Sequence, residues 1–286
     1  MKVQFIDQQR AHHGVRRLCR MLQVSPSAYY AARNRPDSGR TQRQAEWTER
    51  IREAYVASRA TYGSPRIHAE LKAQGEAPCE NTVARLMRRA GIVPRMVPRF
   101  RVTTDSRGTR PAPNLLDRVF TADHPNQCWL TDMTFIPTGG GWLYLAVILD
   151  LYSRSIVGWA MGERIDRFLA IDALTMALER RQAAPAVLHS DQGNVYGAAE
   201  YRALMAQHGI TQSMSRKGDC WDNAPMESFF HTLKTELVMH CRYQTREAAR
   251  TSLFEFMEVF YNRRRRHSSL NYLSPFNFES QQQTPL

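Results

Sequence analysis

The stretch Trp142-Leu-Tyr-Leu-Ala-Val-Ile-Leu-Asp150 constrains the fold more than any other, because nine residues carry a single charge, at the last position. A strand without a polar side is covered on both faces, so the chain must supply packing on either side of a sheet. Residues 126–137 and 155–161 read as strands on either side of it, joined through Gly139-Gly-Gly141 and through a turn at Tyr152-Ser-Arg154. Three antiparallel strands therefore come first. An amphipathic helix follows over residues 168–181, with Leu169, Ile171, Leu174, Met176 and Leu178 among its apolar positions. Then come a fourth strand at 186–189, a helix at 198–207, a short fifth strand at 209–212 and a polar, mobile loop at 213–220. A last helix of this region starts at Asn223 and runs to about residue 240.

Three acids fall at marked places in that order. Asp132 lies inside the first strand, Asp191 just past the fourth, before a glycine turn, and Glu227 in the last helix. Carboxylates on three separate elements, each in an apolar surround, suggest one metal site. Asp150, at a strand end, reads as a turn or support residue. His189 reads as structural. Lys234 stands two helical turns after Glu227 and so shares its face.

Charge is distributed in blocks. The net charge is +12, but residues 1–118 hold 23 Lys and Arg against 10 Asp and Glu. Residues 119–241 hold 9 against 13, and residues 242–286 hold 7 against 4. A basic front attracts polyanions through counterion release. An acidic middle repels phosphate unless divalent cations neutralise it. The contrast favours a metal-dependent nuclease or transferase over a protein that only binds DNA. No apolar run approaches the roughly 20 residues that span a bilayer, and residues 1–10 lack a signal-peptide apolar region, so a cytoplasmic protein is expected. The five cysteines, Cys19, Cys79, Cys128, Cys220 and Cys241, are scattered and odd in number, which argues against a disulfide framework or a structural zinc.

Five regions are expected. Residues 1–36 form a helix-turn-helix-like segment, in which Ser25 caps a helix with Pro26 at its first position. Residues 37–40 read as a polar linker. Residues 41–95 form a helical DNA-binding domain, with Ser64-Pro65 opening one helix and Asn81 capping another. In that last helix Val83, Leu86 and Met87 face inward while Arg85, Arg88 and Arg89 project outward, the form of a DNA reader. Residues 96–118 are an extended basic linker, expected either to track a phosphate backbone when DNA is bound or to serve as a solubilising tether. Residues 119–241 are the catalytic core. Residues 242–286 carry an apolar-striped helix and the basic run Arg263-Arg-Arg-Arg266-His267, expected on DNA. Arg216, Lys217 and Trp221 flank the mobile loop and are further expected DNA contacts.

The strand and helix order is that of the ribonuclease-H-like fold: an α/β core with a five-stranded mixed sheet and flanking helices, here preceded by small all-α helix-turn-helix modules. The segments Trp129-Leu-Thr-Asp132, Asp150-Leu-Tyr-Ser-Arg154, His189-Ser-Asp-Gln-Gly193 and Asp222-Asn-Ala-Pro-Met-Glu227, with Tyr261-Asn262, Arg266-His267, Leu270 and Ser274-Pro275, resemble the OrfB half of an IS-three-type insertion-sequence transposase, a bacterial relative of retroviral integrases. The resemblance spans essentially the whole chain. The family separates its second and third acids by 35 residues, as Asp191 and Glu227 are here, and places a basic residue seven after the glutamate, where Lys234 stands. Spacing by itself carries little, since chance supplies such pairs; the residues around each acid carry the resemblance.

The resemblance implies a metal-dependent DDE transposase, a polynucleotidyl transferase that cleaves and joins strands at terminal inverted repeats. Such phosphoryl transfer needs an oriented oxygen nucleophile and neutralised phosphate charge, which two Mg²⁺ ions, or Mn²⁺ in their place, supply on hard oxygen ligands. Asp132, Asp191 and Glu227 are the expected catalytic residues and metal ligands, with Asp132 bridging both ions and Lys234 at the DNA. The implied partners are double-stranded DNA, at the repeat ends and the target, further copies of the chain in a dimer or larger assembly, and an OrfA segment, fused or separate. The competing reading is a DNA-binding regulator of transposition without catalysis of its own.

Overall fold

The computed structural model describes residues 2–34, 38–75, 77–95, 111–216 and 220–283. Three short helices open the chain: α1 (Lys2–Gln9), α2 (Val15–Met21) and α3 (Pro26–Asn34). They close over Ile6, Leu18, Cys19 and Tyr29. The Ala28 N–H donates to Ser25 Oγ at 3.0 Å, so Ser25 acts as the predicted cap. The helix α1 is not anticipated by the sequence pattern. It buries only Ile6 and is held by its neighbours, with the Tyr29 hydroxyl donating to Asp7 at 2.9 Å.

The next unit packs α4 (Gly39–Ala57), α5 (Ser64–Ala73) and α6 (Glu80–Arg89) around Ile51, Ile67, Leu71, Val83, Leu86 and Met87. Residues 38–40 are not a linker. Ser38 Oγ accepts from the Thr41 N–H at 3.2 Å and so starts α4 two turns earlier than the apolar periodicity suggests. The cap of α6 is Cys79 rather than Asn81, which lies inside the first turn.

The sheet has five strands: β1 (Cys128–Thr138), β2 (Gly141–Asp150), β3 (Ile156–Gly162), β4 (Val187–Ser190) and β5 (Thr211–Met214). Their order is β3-β2-β1-β4-β5. The first three pair antiparallel, and β4 and β5 add parallel to β1. Alternation sends Leu143, Leu145, Val147 and Leu149 of β2 into one core and Ala146 and Ile148 into the other. Helices α7 (Arg167–Arg181) and α8 (Ala199–Gln207) cover the second side; α9 (Ala224–Glu236) and α10 (Arg246–Phe254), continued by a π-helical stretch Glu255–Tyr261, cover the first. Gly158 of β3 lets α7 lie directly on the sheet, since a Cβ there would stand 2.3 Å from the Ala173 carbonyl oxygen. The fifth strand takes in Ser213 and Met214, which the polar composition assigns to a loop.

The tail closes the sheet edge. The Ile156 N–H donates to Asn262 Oδ1 at 2.8 Å, and Asn262 Nδ2 donates to the Ile156 carbonyl at 2.9 Å. One side chain thus pairs with a residue of the edge strand β3 as another strand would. The last helix, α11 (Pro275–Gln283), brings Glu279 to Arg181 and Ser153. Asp150 joins this group: it accepts from the Asn126 and Tyr152 N–H groups at 3.0 and 2.9 Å and from Arg181 at 3.5 Å. Its role is the support of a turn.

The basic run does not lie wholly outside. Arg265 is 4% exposed and makes a two-pronged contact with Glu236 of α9, and Arg266 donates to Glu70 of α5 at 2.6 Å. His267 is buried, while Arg263 and Arg264 are exposed. The expectation that the run as a unit meets DNA is therefore corrected: two internal acids, Glu236 and Glu70, claim half of its guanidinium groups.

Candidate active site

The strands β1 and β4 run parallel as far as Leu130 opposite His189. Asp132 and Asp191 each lie two residues further on, where the pairing has ended and adjacent strands begin about 4.8 Å apart. The Asp191 carboxylate is fixed by a tight turn, with the Gly193 N–H donating to Asp191 Oδ1 at 2.9 Å. A Cβ at Gly193 would stand 2.9 Å from that same oxygen, so any other residue there would push the Asp191 carboxylate aside. Glu227 is in the first turn of α9, whose Met226, Phe229, Phe230 and Leu233 are buried beneath it. The N-cap residue of α9, Asn223, donates from Nδ2 to the Thr131 carbonyl at 3.3 Å and so ties the helix start to the strand that carries Asp132.

The three acids sense one another. Burial, then Asp191 and Glu227, push the Asp132 carboxyl well above the usual carboxylate range, against the Met133 N–H and Lys234, which pull it down. Burial also raises Asp191, with the Gly193 N–H opposing. Lys234 is lowered by burial and supported by Asp132; its Nζ lies 5.5 Å from the Phe135 ring centre. Asp132, Asp191, Glu227 and Lys234 thus form one electrostatic group. Among the described residues, however, no three or more His, Cys, Asp or Glu side chains are gathered closely enough to hold an ion as they stand. The donors are open carboxylates around a strand splay. That chemistry fits a hard divalent cation, which takes oxygen ligands and keeps several waters. A cation there would also relieve the repulsion that raises Asp132.

His189 is structural. It is fully buried, contacts Ser213 Oγ at 2.8 Å and Ser215 Oγ at 3.1 Å, and is lowered to about 4 chiefly by burial, so the ring is neutral.

Asp222, beside this site, has a role that the sequence does not announce. Asp222 is fully buried and accepts from the Arg216 backbone N–H at 2.8 Å, from Arg216 Nε and Nη2 at 2.9 and 2.7 Å, from Arg118 Nε at 3.1 Å and from Asn114 Nδ2 at 2.9 Å. Hydrogen bonds from Arg216 above all hold its carboxyl far below the usual range. Arg216, an expected DNA contact, is thus folded onto Asp222. Residues 111–118 do not extend freely along a phosphate backbone either: the Leu115 N–H donates to Ser213 Oγ at 2.9 Å, and Leu116 is buried. The remainder of the expected linker, residues 96–110, and Lys217 lie outside the described residues. Asp222 stands immediately before Asn223 in the chain, and that dipeptide at a helix start was the available signal. Trp221 beside it is 66% exposed. In the helical unit, Arg88 and Arg89 of α6 are exposed as expected, whereas Arg85 is half-buried with its Nε unpaired.

Family models match along most of the chain: an HTH-like domain over residues 41–100 and an integrase core domain over residues 122–220 and again over 208–275. The chain is 44% identical over 264 residues to the insertion element IS600 uncharacterized 31 kDa protein of Shigella sonnei, covering 91% of this chain and 97% of that one. It is 40% identical over 284 residues to the transposase InsF for insertion sequence IS3A of Escherichia coli (strain K12), covering 98% and 99%. A chain of the simian T-cell lymphotropic virus intasome, solved with PP2A regulatory subunit B56 gamma, aligns with a TM-score of 0.48 at 16% identity, over 76% of this chain and 71% of that one.

Proposed function

The chain belongs to the IS3 family of insertion-sequence transposases, and from that premise we propose that it cleaves DNA strands at the terminal inverted repeats of its element and joins them to target DNA. The observation that supports this reading is the placement at the splay of β1 and β4: Asp132 and Asp191 each lie two residues past the last β1–β4 pair, and Asn223 ties the start of the Glu227 helix to β1. Burial first, then Asp191 and Glu227, raise Asp132, and Lys234 opposes. Asp132, Asp191 and Glu227 would hold divalent cations, Mg²⁺ or Mn²⁺, two to a site. Such ions, when bound, neutralise phosphate charge and activate an oxygen nucleophile.

The protein's own part is placement. The Gly193 turn fixes the direction of Asp191, and the bond from Asn223 to Thr131 fixes the start of α9 against β1. Lys234, on the Glu227 face, meets a phosphate oxygen of the bound strand. Arg88 and Arg89 of α6 meet the duplex, with double-stranded DNA as the partner. Bringing two element ends together calls for a dimer or larger assembly, and an OrfA segment completes the end-binding apparatus. Among the described residues no helix is long and apolar enough to cross a membrane; the proposed place of action, on DNA in the bacterial cytoplasm, follows from the transposase reading.

One observation favours a second reading, a DNA-binding regulator without catalysis of its own: the carboxylates are not closed into an ion-holding group. The deciding experiment incubates labelled terminal-repeat duplex with Mg²⁺, an OrfA segment of the same element, and either the wild-type chain or Asp191→Asn. Nicked or joined products that vanish in the variant support the transposase. Binding by both proteins with products from neither supports the regulator.

A further inference from the structure

A buried acceptor beside the acids has no partner. Asn223 is 5% exposed, its Nδ2 is committed to the Thr131 carbonyl at 3.3 Å, and its Oδ1 accepts no hydrogen bond. The Thr131 carbonyl decides which end of the amide faces it, because only the NH₂ end can donate. An asparagine at a helix N-cap ordinarily turns its oxygen onto the N–H groups of the first turn. Asn223 makes no such bond. An unpaired buried carbonyl oxygen is costly, and native proteins rarely leave one without a reason.

Its surroundings suggest the reason. Thr131 is the first residue of β1 past the last one paired with β4, so the amide fills the place that β4 vacates. Asp132 is the next residue of that strand. Glu227 is four residues along α9, on the same side of its first turn. The unpaired oxygen therefore lies at the β1–α9 seam, next to the stretches of chain that carry Asp132 and Glu227. Among the described residues no donor reaches that oxygen, which leaves the matching donor to arrive from outside.

We propose that Asn223 Oδ1 accepts a hydrogen bond from the terminal 3′-hydroxyl of the bound DNA strand and holds that hydroxyl beside Asp132 and Glu227. The assignment rests on the transposase reading above. In the joining step the 3′-oxygen forms the new bond to phosphorus. The target's own 3′-oxygen leaves with the electron pair of the broken P–O bond and takes a proton from water, and the proton of the attacking hydroxyl passes to water. Asn223 orients that O–H and gains no proton, since an amide oxygen is too weak a base to take one.

The test is a binding measurement on the full-length protein with Mn²⁺ present and target DNA omitted. Three fluorescent terminal-repeat duplexes differ only at the 3′ end, which carries a hydroxyl, a hydrogen or a methoxy group. The hydroxyl end is expected to bind about fivefold more tightly than the other two, the effect of one hydrogen bond, because neither hydrogen nor an ether oxygen can donate. Asn223→Ala is expected to bind all three alike. Should that variant fail to fold, Asn223→Gly, which a helix N-cap tolerates, takes its place in the same series. Equal affinity of the wild-type protein for the three ends overturns the proposal, as does a hydroxyl preference that survives in Asn223→Ala. A methoxy end that binds like the hydroxyl also overturns it, since the group read would then not be a donor. No preference for terminal-repeat over unrelated duplex would instead defeat the transposase reading, and the proposal with it.

Discussion

Arg265 grips Glu236 with two hydrogen bonds, from Nε at 2.9 Å and from Nη2 at 2.7 Å, and both side chains are almost entirely out of solvent. Glu236 ends α9, the helix that carries Glu227 and Lys234, so this pair locks the C-terminal tail to that helix. Around it, the Arg266 N–H donates to the Tyr62 hydroxyl at 2.7 Å, and Arg66 lies 3.7 Å from Glu236. The helical unit and the catalytic core meet through this group.

Breaking a buried ion pair on one side leaves an uncompensated charge and costs about 3 kcal/mol or more. Arg265→Ala is expected to lose about that much stability in denaturant unfolding. Arg265→Lys is expected to recover less than half of it, since a single ammonium cannot reproduce the planar fork.

With Arg265 and Arg266 turned inward, Arg88 and Arg89 of α6 remain exposed, as do Arg40 and Arg43 of α4. Arg88→Ala and Arg89→Ala are each expected to weaken DNA binding at all sequences and to flatten the slope of log affinity against log salt by about 0.9 per phosphate contact removed. Anisotropy titrations over a range of KCl concentrations measure this. An unchanged slope in both variants would place the phosphate contacts elsewhere.

Gly193 lies on a β-like φ of −61°, so alanine is compatible with its backbone. The obstacle is the Asp191 carboxylate, which a Cβ would push away. Gly193→Ala is expected to leave the melting temperature nearly unchanged while lowering strand cleavage by about 100-fold, the cost of displacing a reacting group by about 1 Å.

Much of this is legible in the chain itself. The run from Trp142 to Asp150 announces an interior strand because eight of its nine residues are apolar, and Asp191 before Gly193 announces a strand end with a turn. The cap at Ser25 is equally local. What cannot be read locally depends on distant partners. Arg265 and Arg266 look like any solvated basic run until Glu236, 29 residues away, and Glu70, 196 residues away, are known to face them. The linker residue Arg118 likewise takes its meaning from Asp222, 104 residues on. The helix α1 escapes notice because only one of its residues is buried.

His267 is buried against Tyr261, and burial, with Arg265, Arg66 and Arg154 nearby, drops it well below the usual histidine range. It is neutral in the fold and takes a proton only on unfolding. Its contribution is therefore complete above the unfolded value of about 6.5 and is lost as pH falls below it. Unfolding free energy is expected to fall by up to about 1.4 kcal/mol per pH unit more steeply below pH 6 in the wild type than in His267→Gln. Parallel pH profiles for the two proteins would show that His267 is protonated in the native state.

The account turns on carboxylates from β1, the β4 turn and α9 sharing divalent ions. Crystals of the DNA-bound protein grown with Mn²⁺, and measured at the manganese absorption edge, test it most directly. Anomalous peaks flanked by Asp132, Asp191 and Glu227, about 4 Å apart for two ions, are the expected result. A map with no peak among those three side chains, in a complex with the DNA end well ordered, would contradict it.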